Sequence, residues 1–308
     1  MSWSSQRVLV TGGSGFLGTA LCSRLVASGA EVHVTSRVQR TQQVEGLRWW
    51  SADVTDNKAV HKLVSTIQPD VIYHLAGSVT AATDKELALP TFHSLLTSTI
   101  NLLAVVTEIG CGNLILCGSL NEPQTGQEPV VPGSPYAAAK WAASGYARMY
   151  HALYGTPVVI LRPFMTYGPG QDTKKLIPSV ILSFEAEQSP RLSSGQWEAD
   201  WIYLDDVIEG FIAAAGRPDI VGSTLDLGGG SLVSVRSVVE QIATVMGPSQ
   251  PALFGALPDR PLAPVVAADV RTSEIRLGWR ASTSFETGLR RTIDWYRANR
   301  YQRVGKVA

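Results

Sequence analysis

The chain has 308 residues, 45% of them apolar and 17% charged, which is enough apolar material to bury a large core in one α/β unit or two closely built lobes. Twenty-six basic residues balance twenty-six acidic ones, which argues against a nucleic-acid or membrane-surface partner held by bulk charge but not against one small anionic ligand. The cysteines, Cys22, Cys111 and Cys117, are odd in number and form no C-x-x-C pair, so no disulfide scaffold and no zinc or other metal site is expected. The opening MSWSSQRVLV lacks the long apolar stretch of a secretion signal, and no apolar run approaches the roughly 18 residues of a membrane span, so a cytoplasmic location is expected.

In chain order, RVLVTGG reads as a strand entering a turn, and GFLGTALCSRLVASG as a helix closed by Gly29. EVHVTSR, LRWWSADV and DVIYHLAG are further strands; NLILCGS and PVVILRP follow after more helical stretches. Strands separated by helices imply a parallel, doubly wound sheet of the Rossmann type. Past Pro163 the rhythm changes. FMTYGPGQDTKK is rich in turn residues, STLDLGGG looks like a late strand, and GPSQPALFGALPDRPLAP reads as an ordered, proline-punctuated loop. ETGLRRTIDWYRANR closes the pattern as an amphipathic helix. The expected division is a dinucleotide-binding domain over 1–165, with later strands near 200–207 and 224–228 returning to it, and a smaller substrate-binding lobe made mainly of 166–308.

VTGGSGFLG places Gly12, Gly15 and Gly18 at three-residue intervals between a strand and a helix. Glycines there permit a tight turn and let a pyrophosphate approach a helix N-terminus, where free N–H groups favour anions. The spacing is G-x-x-G-x-x-G rather than G-x-G-x-x-G. At the end of the second strand an acidic residue would hold a ribose 2′-hydroxyl, but the chain has Ser36 and Arg37, with no carboxylate until Glu45. Arginine is a fork for a 2′-phosphate, so NADP is favoured over NAD, with Arg40 as a possible helper. Asp53 is placed either to meet the adenine amino group or to serve as a turn or cap aspartate.

SPYAAAK begins with a helix cap, Ser134, and Pro135 at the first helical position. Tyr136 and Lys140, four residues apart, then share one face. With TGGSGFLG, His74–Gly77 (HLAG) and Ser119 in the same order, this stretch resembles the extended short-chain dehydrogenase/reductase family, in its nucleotide-diphosphate-sugar branch. LRPFMTYGPGQ, DWIYLDDV and ADVRTSEIRLGW extend the resemblance over nearly the whole chain.

The resemblance implies that Tyr136 is the general acid or base, that Lys140 lowers its pKa and bonds the nicotinamide ribose, and that Ser119 orients the sugar oxygen. It implies cofactor contacts from Gly12, Gly15, Phe16, Leu17, Gly18, Ser36, Arg37, Asp53, Val54, Leu75, Ala76, Gly77, Lys140 and Pro163. It also implies a homodimer through the helix starting at Tyr136, where Trp141, Tyr146 and Met149 accompany small residues.

Departures from the family pattern narrow the reaction. The Asp-Glu pair that serves 4,6-dehydratases after the Ser/Thr is Leu120 and Asn121 here, and neither is an acid or base. Glu122 either reaches the sugar or is a solvated loop residue. Cys117 lies on the wrong side of Ser119 for the family's epimerase cysteine and reads as a packed core thiol. Met165 stands where the family has a substrate-contacting Asn and Ala199 where it has an Arg; the candidate substrate contacts are Asn121, Glu122, Met165 and Lys175, the last facing the sugar or the diphosphate, and Arg191, Trp197 and Arg260 for phosphate or base. Asp205 or Asp206 reads as a helix cap. Together these features point to NADPH-dependent reduction of a 4-keto-6-deoxy nucleotide sugar; a redox-neutral 4-epimerase and a non-catalytic dinucleotide-binding regulator are the alternatives.

Overall fold

A computed structural model describes residues 3–37, 45–80, 82–123 and 130–299. It contains two compact units: Met1–Pro163 with Ile208–Asp226 and Arg271–Trp279, and Phe164–Val207 with Leu227–Val270 and Arg280–Ala308. The strands are β1 (Arg7–Thr11), β2 (Glu31–Ser36), β3 (Leu47–Ser51), β4 (Val71–His74), β5 (Asn113–Cys117), β6 (Val158–Pro163), β7 (Met165–Tyr167), β8 (Glu198–Tyr203), β9 (Thr224–Leu227) and β10 (Leu232–Ser234). The helices are α1 (Phe16–Ala27), α2 (Asn57–Ile67), α3 (Ala88–Thr91), α4 (Ser98–Ile109), α5 (Pro135–Tyr154), α6 (Leu176–Glu185), α7 (Leu204–Ala214), α8 (Val235–Met246), α9 (Val270–Leu277) and α10 (Phe285–Ala298).

The first unit is built on a seven-stranded sheet of order β3-β2-β1-β4-β5-β6-β9. β1 pairs in parallel with β2 and with β4, and β5 continues the parallel ladder to β6. VLV, VIY and LIL are buried along β1, β4 and β5, as expected of parallel strands covered on both faces. Their inner side chains join Val60, Leu63 and Val64 of α2 and Leu102, Leu103 and Val106 of α4 in one core. Successive strands run outward one way from β1 and the other way from β4, so the strand order switches between them. In such sheets the crevice beyond the carboxyl ends of the two strands takes the ligand.

Local chemistry sets the helix ends. Asp56 caps α2 by accepting from the Lys58 and Ala59 N–H groups. Ser134 caps α5, its hydroxyl accepting from Ala137 N at 3.2 Å, with Pro135 at the first helical position and Gly155 left-handed at the far end. Tyr136, Ala137, Ala139, Lys140, Ala143, Ser144 and Ala147 form the buried face of α5, so the small side chains sit where the helix packs closely. Lys85–Ile109 runs as one 25-residue helix, apolar and long enough by composition to cross a membrane, yet its inner face (Leu95, Leu96, Leu102, Leu103, Val105, Val106) lies in the core. Its apolarity is that of a core helix.

The second unit has a three-stranded sheet of order β10-β8-β7. Its core gathers Tyr167, Ile177, Val180, Phe184, Trp201, Val238, Leu289 and Tyr296. The strand expected near 200–207 thus does not join the first sheet, whereas the one expected near 224–228 does, as β9. The reason is Asp200. Its buried carboxylate accepts from Gly229 N at 2.6 Å, Gly230 N at 2.8 Å and Ala268 N at 2.9 Å, tying β8 to residues of the second unit. Asp206 likewise is no cap of its own helix: it accepts from Ser282 N at 2.9 Å and Thr283 N at 3.1 Å, holding the segment that leads into α10.

Candidate active site

The glycine turn is a cradle that side chains would fill. Gly12 has φ +74°, and a Cβ there would lie 2.6 Å from the Ala76 backbone nitrogen, so only glycine lets the turn press on the HLAG loop. A Cβ on Gly18 would overlap the Gly12 carbonyl oxygen, while one on Gly15 would meet nothing nearer than that oxygen at 3.3 Å. Gly15 is the N-cap of α1, no side chain caps the helix, and its first turn holds no acid. The opening N–H groups at Phe16, Leu17 and Gly18 are therefore left for an anion. The residues present fit a dinucleotide pyrophosphate.

At the ends of β2 and β3 the structure brings Arg37 and Asp53 together. Asp53 accepts from Thr55 N at 2.9 Å and Thr55 Oγ1 at 2.8 Å; these bonds, with a smaller contribution from Arg37, hold its carboxyl below the usual carboxylate range. Asp53 thus makes its own turn and remains exposed, while the cap of α2 is Asp56. Val54 is buried under the turn, its carbonyl accepting from Asn101 Nδ2 at 3.1 Å. Arg40 lies outside the described residues.

His74 ends β4 fully surrounded. Ser98 Oγ donates to Ser94 O at 2.8 Å, so towards His74 Nε2, at 3.2 Å, it accepts. That leaves the proton on Nε2, and Nδ1 accepts from Thr11 Oγ1 at 2.7 Å, whose oxygen in turn receives Ala76 N–H at 3.4 Å. Burial, seconded by the Lys140 charge, pushes the imidazole down to about 3. The neutral ring thereby locks the end of β1 to the Leu75–Ala76–Gly77 loop. Opposite Gly77, residues Phe92–Thr97 form a wide π-helical turn, and Ser94 Oγ accepts Ser78 N–H at 3.5 Å. Nothing in the motif's spacing had singled out this network.

Ser119, Tyr136 and Lys140 converge at the end of β5, and all three are buried. Lys140 and the Ser119 hydroxyl both act on the Tyr136 phenol to favour its charged form. Lys140 Nζ donates to the Cys117 carbonyl at 2.5 Å, which fixes the ammonium against the strand end. Lys140 pulls the tyrosine's pKa down, as expected, but burial is the larger influence and leaves it above the ordinary 10.0. Cys117 is half-buried at the end of β5, its thiol pushed up chiefly by desolvation.

Leu120 is buried, and Asn121 turns back to Ser119, its N–H donating to Ser119 Oγ at 3.1 Å and its Nδ2 at 3.4 Å. Glu122 is not a solvated loop residue. It is 4% exposed, and its Oε1 accepts Ser119 N–H at 2.7 Å, so the carboxyl points into the protein rather than to solvent. Close by, Arg162 Nε donates to the buried Asp226 at 2.7 Å, an ion pair that only the pairing of β6 with β9 brings together.

In the second unit, Lys175 precedes α6 half-buried, and burial, with Arg260 adding to it, pulls its pKa below the ordinary lysine value. Arg260 is exposed, so these two candidates form a cationic pair. Arg191 is exposed and donates to Ala256 O at 3.4 Å. Trp197 gives its indole N–H to Pro264 O at 3.0 Å, and its ring, like Met165, packs on the core. Ala199 is buried in the central strand of the small sheet, where an arginine has no room. Pro163 ends β6, buried.

Known proteins share this arrangement. A model of the NAD dependent epimerase/dehydratase family matches residues 8–228. The chain belongs to that family. A probable dTDP-glucose 4,6-dehydratase of Sinorhizobium fredii is 32% identical, the match covering 95% of this chain and 93% of that protein. A UDP-glucuronate 4-epimerase of Thermodesulfobacterium geofontis is 27% identical, covering 94% of this chain and 96% of its own length. Among solved structures, Thermus thermophilus UDP-glucose 4-epimerase in complex with NAD superimposes with TM-score 0.83 at 26% identity, covering 94% of this chain and 99% of that one. Bacillus cereus UDP-glucuronic acid 4-epimerase, with UDP-glucuronic acid and NAD, gives 0.84 at 25%, covering 95% and 99%. As an extended short-chain dehydrogenase/reductase, the chain thus has its family's parallel sheet.

Proposed function

We propose that this family member reduces the 4-keto group of a 4-keto-6-deoxy nucleotide-diphosphate sugar at the expense of NADPH. One observation carries the reading: of the described groups around Ser119, Tyr136 is the proton donor available to a sugar oxygen. Leu120 and Asn121 supply no carboxyl pair for dehydration, and Glu122 is turned inward. The relatives' activities, on dTDP-glucose, UDP-glucose and UDP-glucuronate, support a nucleotide sugar as the substrate class.

NADPH, when bound, supplies the hydride. Gly12, Gly15 and the first-turn N–H groups of Phe16, Leu17 and Gly18 would hold its pyrophosphate. Ser36 and Arg37 would hold the 2′-phosphate, Asp53 and Val54 the adenine, and Leu75–Gly77, Lys140 and Pro163 the nicotinamide half. Arg37, beside an exposed Asp53, is what favours the phosphorylated cofactor. Ser119 and Tyr136 would bind the keto oxygen through their hydroxyls. As negative charge grows on that oxygen, Tyr136 passes it the phenolic proton, and the Lys140 ammonium steadies the phenolate left behind. A phenol whose pKa burial has raised is protonated at neutral pH, as an acid catalyst of reduction has to be. Lys175 and Arg260, both of the second unit, are cations of the kind that binds a diphosphate.

A redox-neutral 4-epimerase is the second reading, favoured by the likeness to two 4-epimerases solved with NAD. Incubation with NADPH and a panel of 4-keto-6-deoxy sugar nucleotides, following the reduced nicotinamide's absorbance, separates the two. Stoichiometric NADPH consumption is expected. Interconversion of nucleotide hexoses without net cofactor change would replace the reading with epimerisation, and cofactor binding without turnover of either kind would leave a regulator.

A further inference from the structure

The buried carboxyl of Glu122 is the feature of this site that the proposed reaction does not use. A glutamate that is 4% exposed is costly unless something requires it there. It is built in: Oε1 accepts Ser119 N–H at 2.7 Å, and although burial raises its pKa above the ordinary carboxylate value, Ser144 on the buried face of α5, the Ser119 N–H, Lys140 and Arg162 all favour its charged form. Gly118 leaves it room, since a Cβ at that position would fall 2.7 Å from Oε1 and 2.9 Å from Arg162 Cγ. The carboxylate therefore clamps the backbone that carries Ser119 to the helix that carries Tyr136 and Lys140.

We propose that Glu122 is a positioning residue, fixing the backbone of Ser119 beside Tyr136 by the Ser119 N–H bond and acting on the phenol through its negative charge. The charged and titratable groups acting on this pair are Lys140 of α5, Cys117 of β5, and Arg162 of β6 with its partner Asp226 of β9; His74 of β4 faces Lys140 as a neutral ring. Glu122 sits on the side of that balance that keeps the phenol protonated. The inference rests on Tyr136 being the proton donor, as argued above.

Two variants separate clamp from charge. Glu122→Gln keeps an acceptor for Ser119 N–H but loses the charge; Glu122→Ala loses both. The titration of Tyr136 is read by NMR of ring-labelled tyrosine in the whole enzyme, its signal assigned by its absence in Tyr136→Phe. In Glu122→Gln the Tyr136 titration is expected to move to lower pH by roughly half a unit or more, a shift a purely structural glutamate would not produce. Turnover of the keto sugar in Glu122→Ala is expected to fall by about tenfold or more in kcat, and that of Glu122→Gln much less, with the alkaline limb of its pH profile displaced to lower pH. An unmoved Tyr136 signal in Glu122→Gln overturns the charge role, and wild-type kcat in Glu122→Ala overturns the clamp. The NMR measurement needs no substrate, so failure of the ketoreductase reading is told apart from failure of this one.

Discussion

Acid should unfold the first unit through His74. The imidazole is pushed down to about 3 from an ordinary 6.5, so between those values the unfolded chain binds a proton that the folded one refuses. Stability from this group is fully present above 6.5 and is lost as pH falls towards 3. With the folded pKa that low, moving from about pH 7.5 to about pH 5 removes about 2 kcal/mol, and the next unit removes about 1.3 kcal/mol more before the loss levels off near the folded pKa. The cost has a visible origin. Protonation makes Nδ1 a donor facing the Thr11 hydroxyl at 2.7 Å, in a buried site with the Lys140 charge acting on it. Urea titrations of the wild type and His74→Asn at the two pH values are the test, because the asparagine cannot titrate and the other acid-labile groups cancel in the comparison. The stability gap between the proteins should shift by about 2 kcal/mol in the variant's favour on acidification. Parallel losses in both proteins would refute the reasoning.

Other expectations concern the proposed reaction and assembly. Tyr136→Phe should lower kcat by about a hundredfold to ten-thousandfold with little change in NADPH affinity by fluorescence titration. The rate of reduction should be flat through neutral pH and fall only in alkali, because the raised pKa of Tyr136 keeps the required proton on the phenol until then. A rate that climbs through neutral pH would assign Tyr136 the opposite role, of base. Arg37→Ala should weaken NADPH about tenfold to a hundredfold in Kd while leaving NADH nearly unchanged, since only the former carries the 2′-phosphate. Trp141 and Tyr146 on α5 are 38% and 41% exposed, so if a second copy covers them, Tyr146→Asp should convert a dimer to a monomer in light scattering after gel filtration.

Features governed by neighbours in sequence could be read before any fold was known. Buried parallel strands appear as unbroken apolar runs, the glycine turn as spacing after a strand, and the start of α5 as Ser134-Pro135 with Tyr136 and Lys140 one turn apart. The chemistry around those side chains is a different matter, because it depends on partners far along the chain. Thr11 lies 63 residues from His74 and is brought to it only because β1 lies beside β4. β8 was misplaced because its apolar run suits either sheet, and the choice rests on Asp200 finding the Gly229, Gly230 and Ala268 N–H groups. Glu122 looked like a loop residue because nothing in CGSLNEP reveals that Ser144 and Arg162 close over it. The sequence by itself determined which groups could do hydride chemistry. Tertiary structure decided their state: a pKa follows from lost water and from charges brought close through space, and burial around Tyr136 outweighs the lysine placed beside it in the chain.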